Sequence, residues 1–171
     1  MRAEKQLDRE IVVRVLNGDT EAFNLLVRRW EKPIYNFILR MIGNRDEAMD
    51  LCQDVFLKAF RELGTLKDRD RFTAWLYRIA HNTCYSRLRK DIGKTYVELD
   101  PETGSRSVSI ENRIAVEKAL GQLPEDQREV VILKVYQNLK FEEIAAIQDA
   151  PVSTVKSRLY MSFEKLRDIL G

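Results

Sequence analysis

Two cysteines and one histidine are the only thiol and imidazole groups in the chain. Cys52, Cys84 and His81 are too few for a structural zinc site, which takes about four such ligands, so neither a metal nor another cofactor is expected. Both thiols are expected to be reduced, in the core or half-buried. Long apolar runs are missing too. The longest fall far short of the roughly 20 residues that span a bilayer, and the first ten residues lack the apolar stretch of a signal peptide. The expectation is a cytoplasmic protein with no direct membrane insertion. With one histidine, no glycine-rich phosphate loop and no converging nucleophile and base, an enzyme is not expected. Nor is there an excess of charge of one sign: the net charge is +2. Any nucleic-acid role must therefore rest on where the basic residues cluster.

What the chain does have is helical periodicity, over 171 residues with an apolar content of 44%, enough for one ordinary domain or two small ones. Between Glu21 and Met41, Phe23, Leu26, Val27, Trp30, Ile34, Phe37, Ile38 and Met41 make one buried stripe, with Pro33 expected to kink or divide the helix near Lys32. After Gly43-Asn44 a second stripe runs through Ala48, Leu51, Cys52, Val55, Phe56, Ala59, Phe60 and Leu63, and Asp46 and Glu47 suit the positive end of that helix. A polar loop from Gly64 to Arg71 precedes a third helix, about Phe72 to Arg89, in which Trp75, Leu76, Ile79, Ala80, Thr83 and Leu88 can bury. Trp75 is expected in the core, and Tyr77 is the less certain aromatic. From Asp91 to about Ser109 periodicity stops, and Pro101, Gly104 and hydroxyl residues indicate a linker between two domains. Beyond it come a short helix ending near Leu123, a second opened by Pro124, a third from Phe141 to about Ile147, and a last from about Ser153 to Leu170. No convincing β alternation is present, so the fold class is all-α, two small helical domains joined by a flexible linker.

Residues 141 to 163 have the layout of a helix-turn-helix, with Ile144, Ala145 and Ile147 on the first helix and Val155, Leu159 and Phe163 inside on the second. Ala145 permits a close crossing, and Asp149 is a residue type that tolerates the left-handed conformation of such a turn. The outer face of the second helix offers Ser153, Thr154, Lys156, Ser157, Tyr160 and Met161, with Arg158 beside them, suited to phosphates and to bases in a major groove. A solvated face on a structural helix pair is the competing reading. Upstream, between Arg61 and Lys94, nine basic residues stand against four acidic ones, a positive patch that the net charge conceals.

The run Phe141-Glu142-Glu143-Ile144-Ala145-Ala146-Ile147 followed by Pro151-Val152-Ser153-Thr154-Val155-Lys156-Ser157-Arg158-Leu159 closely resembles the promoter-binding domain of extracytoplasmic-function sigma factors, of the sigma-70 family. Leu123-Pro124-Glu125-Asp126-Gln127-Arg128-Glu129-Val130 looks like the helix pair leading into that domain. Asp46 to Phe56 is similar to the family's polymerase-binding helix, and Phe72 to Asn82 to its promoter-melting segment. The resemblance implies region 2 over residues 1–92, a linker over 93–110 and region 4 over 111–171. It gives Asp50, Gln53, Asp54 and Leu57 to RNA polymerase core, with Leu51, Cys52, Val55, Phe56 and Phe60 packed inward. It gives Lys67, Arg69, Arg71, His81, Asn82, Tyr85, Ser86 and Arg89 to single-stranded DNA of the −10 element, whose flipped base needs phosphate neutralisation and stacking. Duplex DNA of the −35 element falls to Lys134, Ser153, Thr154, Lys156, Ser157, Arg158 and Tyr160. The implied partners are RNA polymerase core, promoter DNA and a separate anti-sigma factor, which could hold the chain at the inner membrane. No appended regulatory module is expected. The chain departs from the pattern at Gln148-Asp149, where many members have Leu-Gly, at Ser153, often Gly, and at Met161, often basic.

His81 also fits an ordinary half-exposed helix histidine. The remaining alternative for the whole chain is a free-standing helix-turn-helix regulator, against which the basic, aromatic first half argues.

Overall fold

The computed structural model describes residues 2–90 and 110–171, and among them there are helices and no strand. The expected linker, 93–110, lies outside the described residues except for Ile110, which already opens a helix. The first half holds α1 (Arg2–Leu16), α2 (Phe23–Ile42), α3 (Arg45–Glu62) and α4 (Phe72–Lys90). The second holds α5 (Ile110–Gly121), α6 (Glu125–Val131), α7 (Phe141–Gln148) and α8 (Val152–Leu170).

Helix α1 has no counterpart in the periodicity reading, because its buried stripe is only Asp8, Ile11, Val12 and Val15. Asp8 is tied down by two residues of α2: Arg29 Nε donates to Oδ1 at 2.8 Å and Trp30 Nε1 to Oδ2 at 3.2 Å. Both carboxylate oxygens thus have a donor, which is what allows a charged side chain to lie in the seam between two helices. Helix α2 runs as one element through Pro33, so of the two expected outcomes, a kink or a division, the division does not occur. The ring removes one N–H donor, but Ile34, Phe37 and Ile38 beyond it are fully buried, and their packing outweighs one missing hydrogen bond. Gly43 closes α2 at φ 77°, its N–H donating to the Leu39 carbonyl at 2.8 Å. Asn44 then caps α3, accepting from the Glu47 N–H at 3.0 Å, with Asp46 and Glu47 in the first turn as expected.

The aromatic assignment on α4 is reversed. Tyr77 is 1% exposed, edge-on to Trp30 and Phe37, whereas Trp75 is only half-buried against Phe72. A hydroxyl in the core needs a partner, and Tyr77 has one: it donates to Gln137 Oε1 of the second half at 2.7 Å. Phe60 likewise stands exposed on α3 rather than inward, its ring meeting only the edge of Phe23.

In the second half α6 passes directly into a π turn, Ile132–Tyr136, closed by the Gln137 N–H on the Ile132 carbonyl at 3.1 Å. The two helices after it meet at Asp149, in the left-handed region at φ 50°, ψ 50°. Helix α8 turns Val155 and Leu159 inward as expected, but at the next turn Ser162 is 0% exposed and Phe163 48%, the reverse of the expected pair. At about 100° per residue, position 162 points within about 20° of Val155 and position 163 about 80° away, so geometry takes the serine inward in spite of polarity. Its hydroxyl lies 2.6 Å from the Arg158 carbonyl and 3.1 Å from that of Gln127, which removes the cost of burying it.

Cys52 and Cys84 are both free and buried. Burial, reinforced by the nearby Glu31, pushes the Cys52 thiol up to about 11, and burial with Glu129 raises Cys84 well above the usual thiol range. Raised values keep both thiols protonated and unreactive at neutral pH. In native protein, a thiol reagent at pH 7.5 should label neither cysteine within the time that labels both in denaturant. The rate at Cys52 should keep climbing as pH approaches 11 instead of levelling off near 9, the ordinary thiol value.

Candidate nucleic-acid interface

Three surfaces collect the residues expected to bind. On α3, Asp50, Gln53, Asp54 and Leu57 all point to solvent, Leu57 at 54% exposure. The opposite side of the helix buries Ala48, Cys52, Val55, Phe56 and Ala59, so this face is held rigidly by the core while one apolar side chain stands among polar neighbours. Beside it, Phe23, Val27, Tyr35, Met49, Phe56 and Phe60 line an open groove of about 860 Å³ between α2 and α3.

The second surface is the loop before α4 and the outer side of α4. Leu66 is buried and anchors the loop, and Asp68 Oδ1 accepts from the Asp70 N–H at 3.1 Å, turning the chain into a short 3₁₀ turn, Arg69–Arg71. Two acids of the loop already have cationic partners: Asp68 meets Arg71 at 3.4 Å and Asp70 meets Arg9 of α1 at 3.3 Å. Lys67, Arg69 and Arg71 are exposed, as are Asn82, Ser86 and Arg89 on α4. Arg87 lies half-buried against Glu47 of α3.

His81 and Tyr85 are not open to solvent in the same way. They stack on each other, with ring centroids 4.3 Å apart, and turn toward the second half. His81 Nδ1 lies 2.6 Å from Glu129 Oε1, and the Tyr85 hydroxyl donates to Oε2 at 3.3 Å. A carboxylate can only accept, so Nδ1 carries the shared proton. The loss of solvent and the neighbouring Glu129 charge, in that order, drive the Tyr85 phenol far above its ordinary range. His81, read either as a DNA-face residue or as an ordinary half-exposed helix histidine, lies against Glu129 of the second half.

On the third surface, the N-terminal half of α8, Ser153, Lys156, Ser157 and Tyr160 are exposed, while Thr154 is half-buried. Arg158 turns back: Nε meets Asp126 Oδ2 at 3.0 Å and Nη1 donates to Gln148 Oε1 at 3.0 Å, so it braces α8 against α6 and α7. Lys134 sits over the Phe141 ring and donates to the Leu139 carbonyl at 3.0 Å, bracing the π turn rather than reaching out.

Comparison with known proteins decides what such a set of surfaces belongs to. Residues 26–91 match the family model for sigma-70 region 2, and residues 113–166 that for sigma-70 region 4. The RNA polymerase sigma-H factor of Pseudomonas aeruginosa is 33% identical over 179 residues, covering 95% of this chain and 93% of that protein. The chain belongs to the sigma-70 family. It is a sigma factor of the extracytoplasmic-function type, which directs RNA polymerase to promoters, in a family of initiation factors rather than enzymes. The sigma-E factor of Escherichia coli strain K12 is 34% identical over 96% of this chain and 94% of its own length. Among solved structures, CnrH in complex with the cytosolic domain of CnrY is 25% identical with a TM-score of 0.76, covering 95% of this sigma factor and 96% of that chain. RpoE in complex with the anti-sigma factor NepR from Bartonella quintana is 27% identical with a TM-score of 0.75, covering 86% and 96%.

The residues that sequence reasoning missed in this sigma factor are Glu129 and Gln137, which join the two halves, and Gln148, which holds Glu129 from within the second half. A signal for Glu129 was there: an Arg-Glu pair directly before the apolar run Val130 to Leu133 has no solvent side to turn to. The turn that orients α8 can be tested at Asp149, an exposed residue whose backbone is left-handed. Asp149→Val, a β-branched residue forced to positive φ, should lower unfolding stability by about 1–2 kcal/mol in chemical denaturation.

Proposed function

We propose that residues 1–92 serve as region 2, 93–110 as a linker and 111–171 as region 4, with polymerase docking, −10 recognition and −35 recognition on three separate surfaces. The exposed face of α3 takes RNA polymerase core. Leu57 supplies the central apolar contact, and Asp50, Gln53 and Asp54 the polar rim that steers a basic partner. Lys67, Arg69 and Arg71 neutralise phosphates of the −10 strand, and Asn82, Ser86 and Arg89, with His81 and Tyr85, hold the unpaired bases. The −35 duplex is read by Ser153, Thr154, Lys156, Ser157 and Tyr160. Arg158 and Lys134 act on that element by bracing the helices that carry these residues.

The observation that carries this reading is one rigid α3 face, exposed along its length, in a chain matched nearly end to end by sigma factors. A free-standing regulator has no use for such a face. An anti-sigma partner is supported by RpoE, a sigma factor of the same fold held in complex with the anti-sigma factor NepR, and CnrH, which shares the fold, is held with the cytosolic domain of CnrY. Such a partner could keep the protein at the inner membrane from the cytoplasmic side; no helix among the described residues is long and apolar enough to cross a membrane. The chain works by positioning and has no catalytic step of its own.

Run-off transcription on promoter libraries, with sigma-free core polymerase, should give transcripts that require this protein and share two spaced elements. Asp54→Ala with Leu57→Ala should weaken core binding by about tenfold or more, as truncation at the centre of an interface does. Specific, tight binding to duplex promoter fragments without polymerase, and no core binding, would replace this reading with a helix-turn-helix regulator.

A further inference from the structure

Helix α1 lies before residue 26, where the region 2 match begins. It packs against both ends of the loop that precedes α4: the 3₁₀ turn Leu63–Thr65 at its start and the turn Arg69–Arg71 at its end. Two neighbouring residues of α1 hold that loop. Asp8 acts from inside the core. It accepts from Trp30 Nε1 at 3.2 Å, and the indole in turn meets the Phe72 ring edge-on, with centroids 6.5 Å apart, which fixes the first residue of α4 directly after the turn. Arg9 acts from the surface: its Nη1 lies 3.3 Å from Oδ1 and 3.5 Å from Oδ2 of Asp70, the middle residue of the turn. Asp8 is 2% exposed and Arg9 follows it directly on the same helix, so the guanidinium reaches out from a fixed origin.

The loop carries Lys67, Arg69 and Arg71 against Asp68 and Asp70, a small excess for a segment given to a phosphate-bearing strand. Asp68 accepts from the Asp70 N–H and pairs with Arg71, so it shapes the turn from within. The Asp70 carboxylate makes no bond inside the loop. Its side chain is 59% exposed, and without Arg9 it would stand as an unbalanced negative charge between the two arginines that meet DNA phosphates. Arg9 cancels that charge with a cation from outside the loop and pins the turn through the same group. An exposed pair of this kind adds little to global stability. It acts, however, on the middle of a three-residue turn, where a small local energy shifts the balance among positions.

We propose that Arg9 is a specificity-determining positioning residue of the −10 surface: from α1 it clamps Asp70, holds the Arg69–Arg71 turn in one placement and so narrows which base the loop accepts. The inference rests on the assignment of this loop to the −10 strand. A turn that shifts offers its donors at several positions, and discrimination between bases is a difference of affinities that loose geometry averages away. Arg9 acts through Asp70, so its effect is present in the free protein before any DNA arrives.

The test compares the full chain as wild type, as Arg9→Ala and as the charge swap Arg9→Asp/Asp70→Arg; both positions are exposed, so each variant should fold. In the free protein, hydrogen exchange at the Asp70 and Arg71 amides should quicken by about two- to fivefold in Arg9→Ala, the size of effect an exposed ion pair has, and return toward wild type in the swap. In run-off transcription on a promoter library with sigma-free core polymerase, Arg9→Ala should lower discrimination at a −10 position by about two- to fivefold, and the swap should restore it. Core affinity should be equal in all three. Unchanged exchange in Arg9→Ala overturns the clamp, and unchanged exchange with weaker DNA binding makes Arg9 a direct phosphate contact instead. Faster exchange with unaltered base preference overturns the specificity role. Absence of any transcript that requires the wild-type chain is a different failure: it overturns the −10 reading and takes the specificity role with it.

Discussion

Helix α6 is buried beyond its first two residues, and the arrangement of the molecule depends on how Arg128 and Glu129 within the buried run are satisfied. From Gln127 to Leu133 each residue is buried, with Arg128 and Glu129 in the middle of the run. Arg128 uses its planar fork as a multiple cap. It donates to the Leu120, Gly121 and Leu123 carbonyls around the end of α5, at 3.1, 3.2 and 3.1 Å, and to the Met41 carbonyl near the end of α2 at 2.7 Å. Helix C-termini carry partial negative charge and orphan carbonyls, so one guanidinium serves two helices from two halves of the chain. Glu129, one residue on, points to the other side and collects three donors.

The division of roles between apolar and polar groups follows from magnitudes. Full burial of a Val, Leu or Ile side chain contributes about 1.5–3 kcal/mol, so Val130, Val131, Ile132 and Leu133 supply the drive that buries this run. Apolar surfaces slide with little penalty. A buried carboxylate does not, because breaking such a pair from one side costs about 3–5 kcal/mol. The hydrogen bonds of Arg128, Glu129 and Gln137 therefore set the register at which α6 meets α2 and α4, while adding little to the net free energy of closure.

How much of this could be read from the sequence divides along the same line. Local rules located seven of the eight helices within a few residues, the cap of α3, and the left-handed turn at Asp149. Those features depend on spacing and on single side chains. Where the reading went astray, a long-range polar partner had overruled polarity: Ser162 lies inside because two carbonyls receive it, and Tyr77 lies inside because Gln137, sixty residues on, accepts its proton. Helix α1 escaped for the same reason, since its stripe includes Asp8, which becomes a core residue only when Arg29 and Trp30 are beside it. The outward face of α3 was legible because it follows from the stripe opposite. The inward turn of His81, Arg158 and Lys134 was not, because each answers to a group outside its own helix.

The junction between the two halves is built from polar groups as well as apolar ones. An interface of apolar side chains alone would gain stability with every methylene and would hold its halves together under all conditions. Replacing a buried ionic network with apolar residues is often neutral or stabilising, so the polar network here is not what strength alone would select. Its groups share one property: Glu129, His81, Tyr85, Gln137 and Arg78 can all be received by water, or by the phosphates and bases of a nucleic acid, once the halves part. The closed form is then opposed by solvation of those groups and favoured by the apolar run beside them.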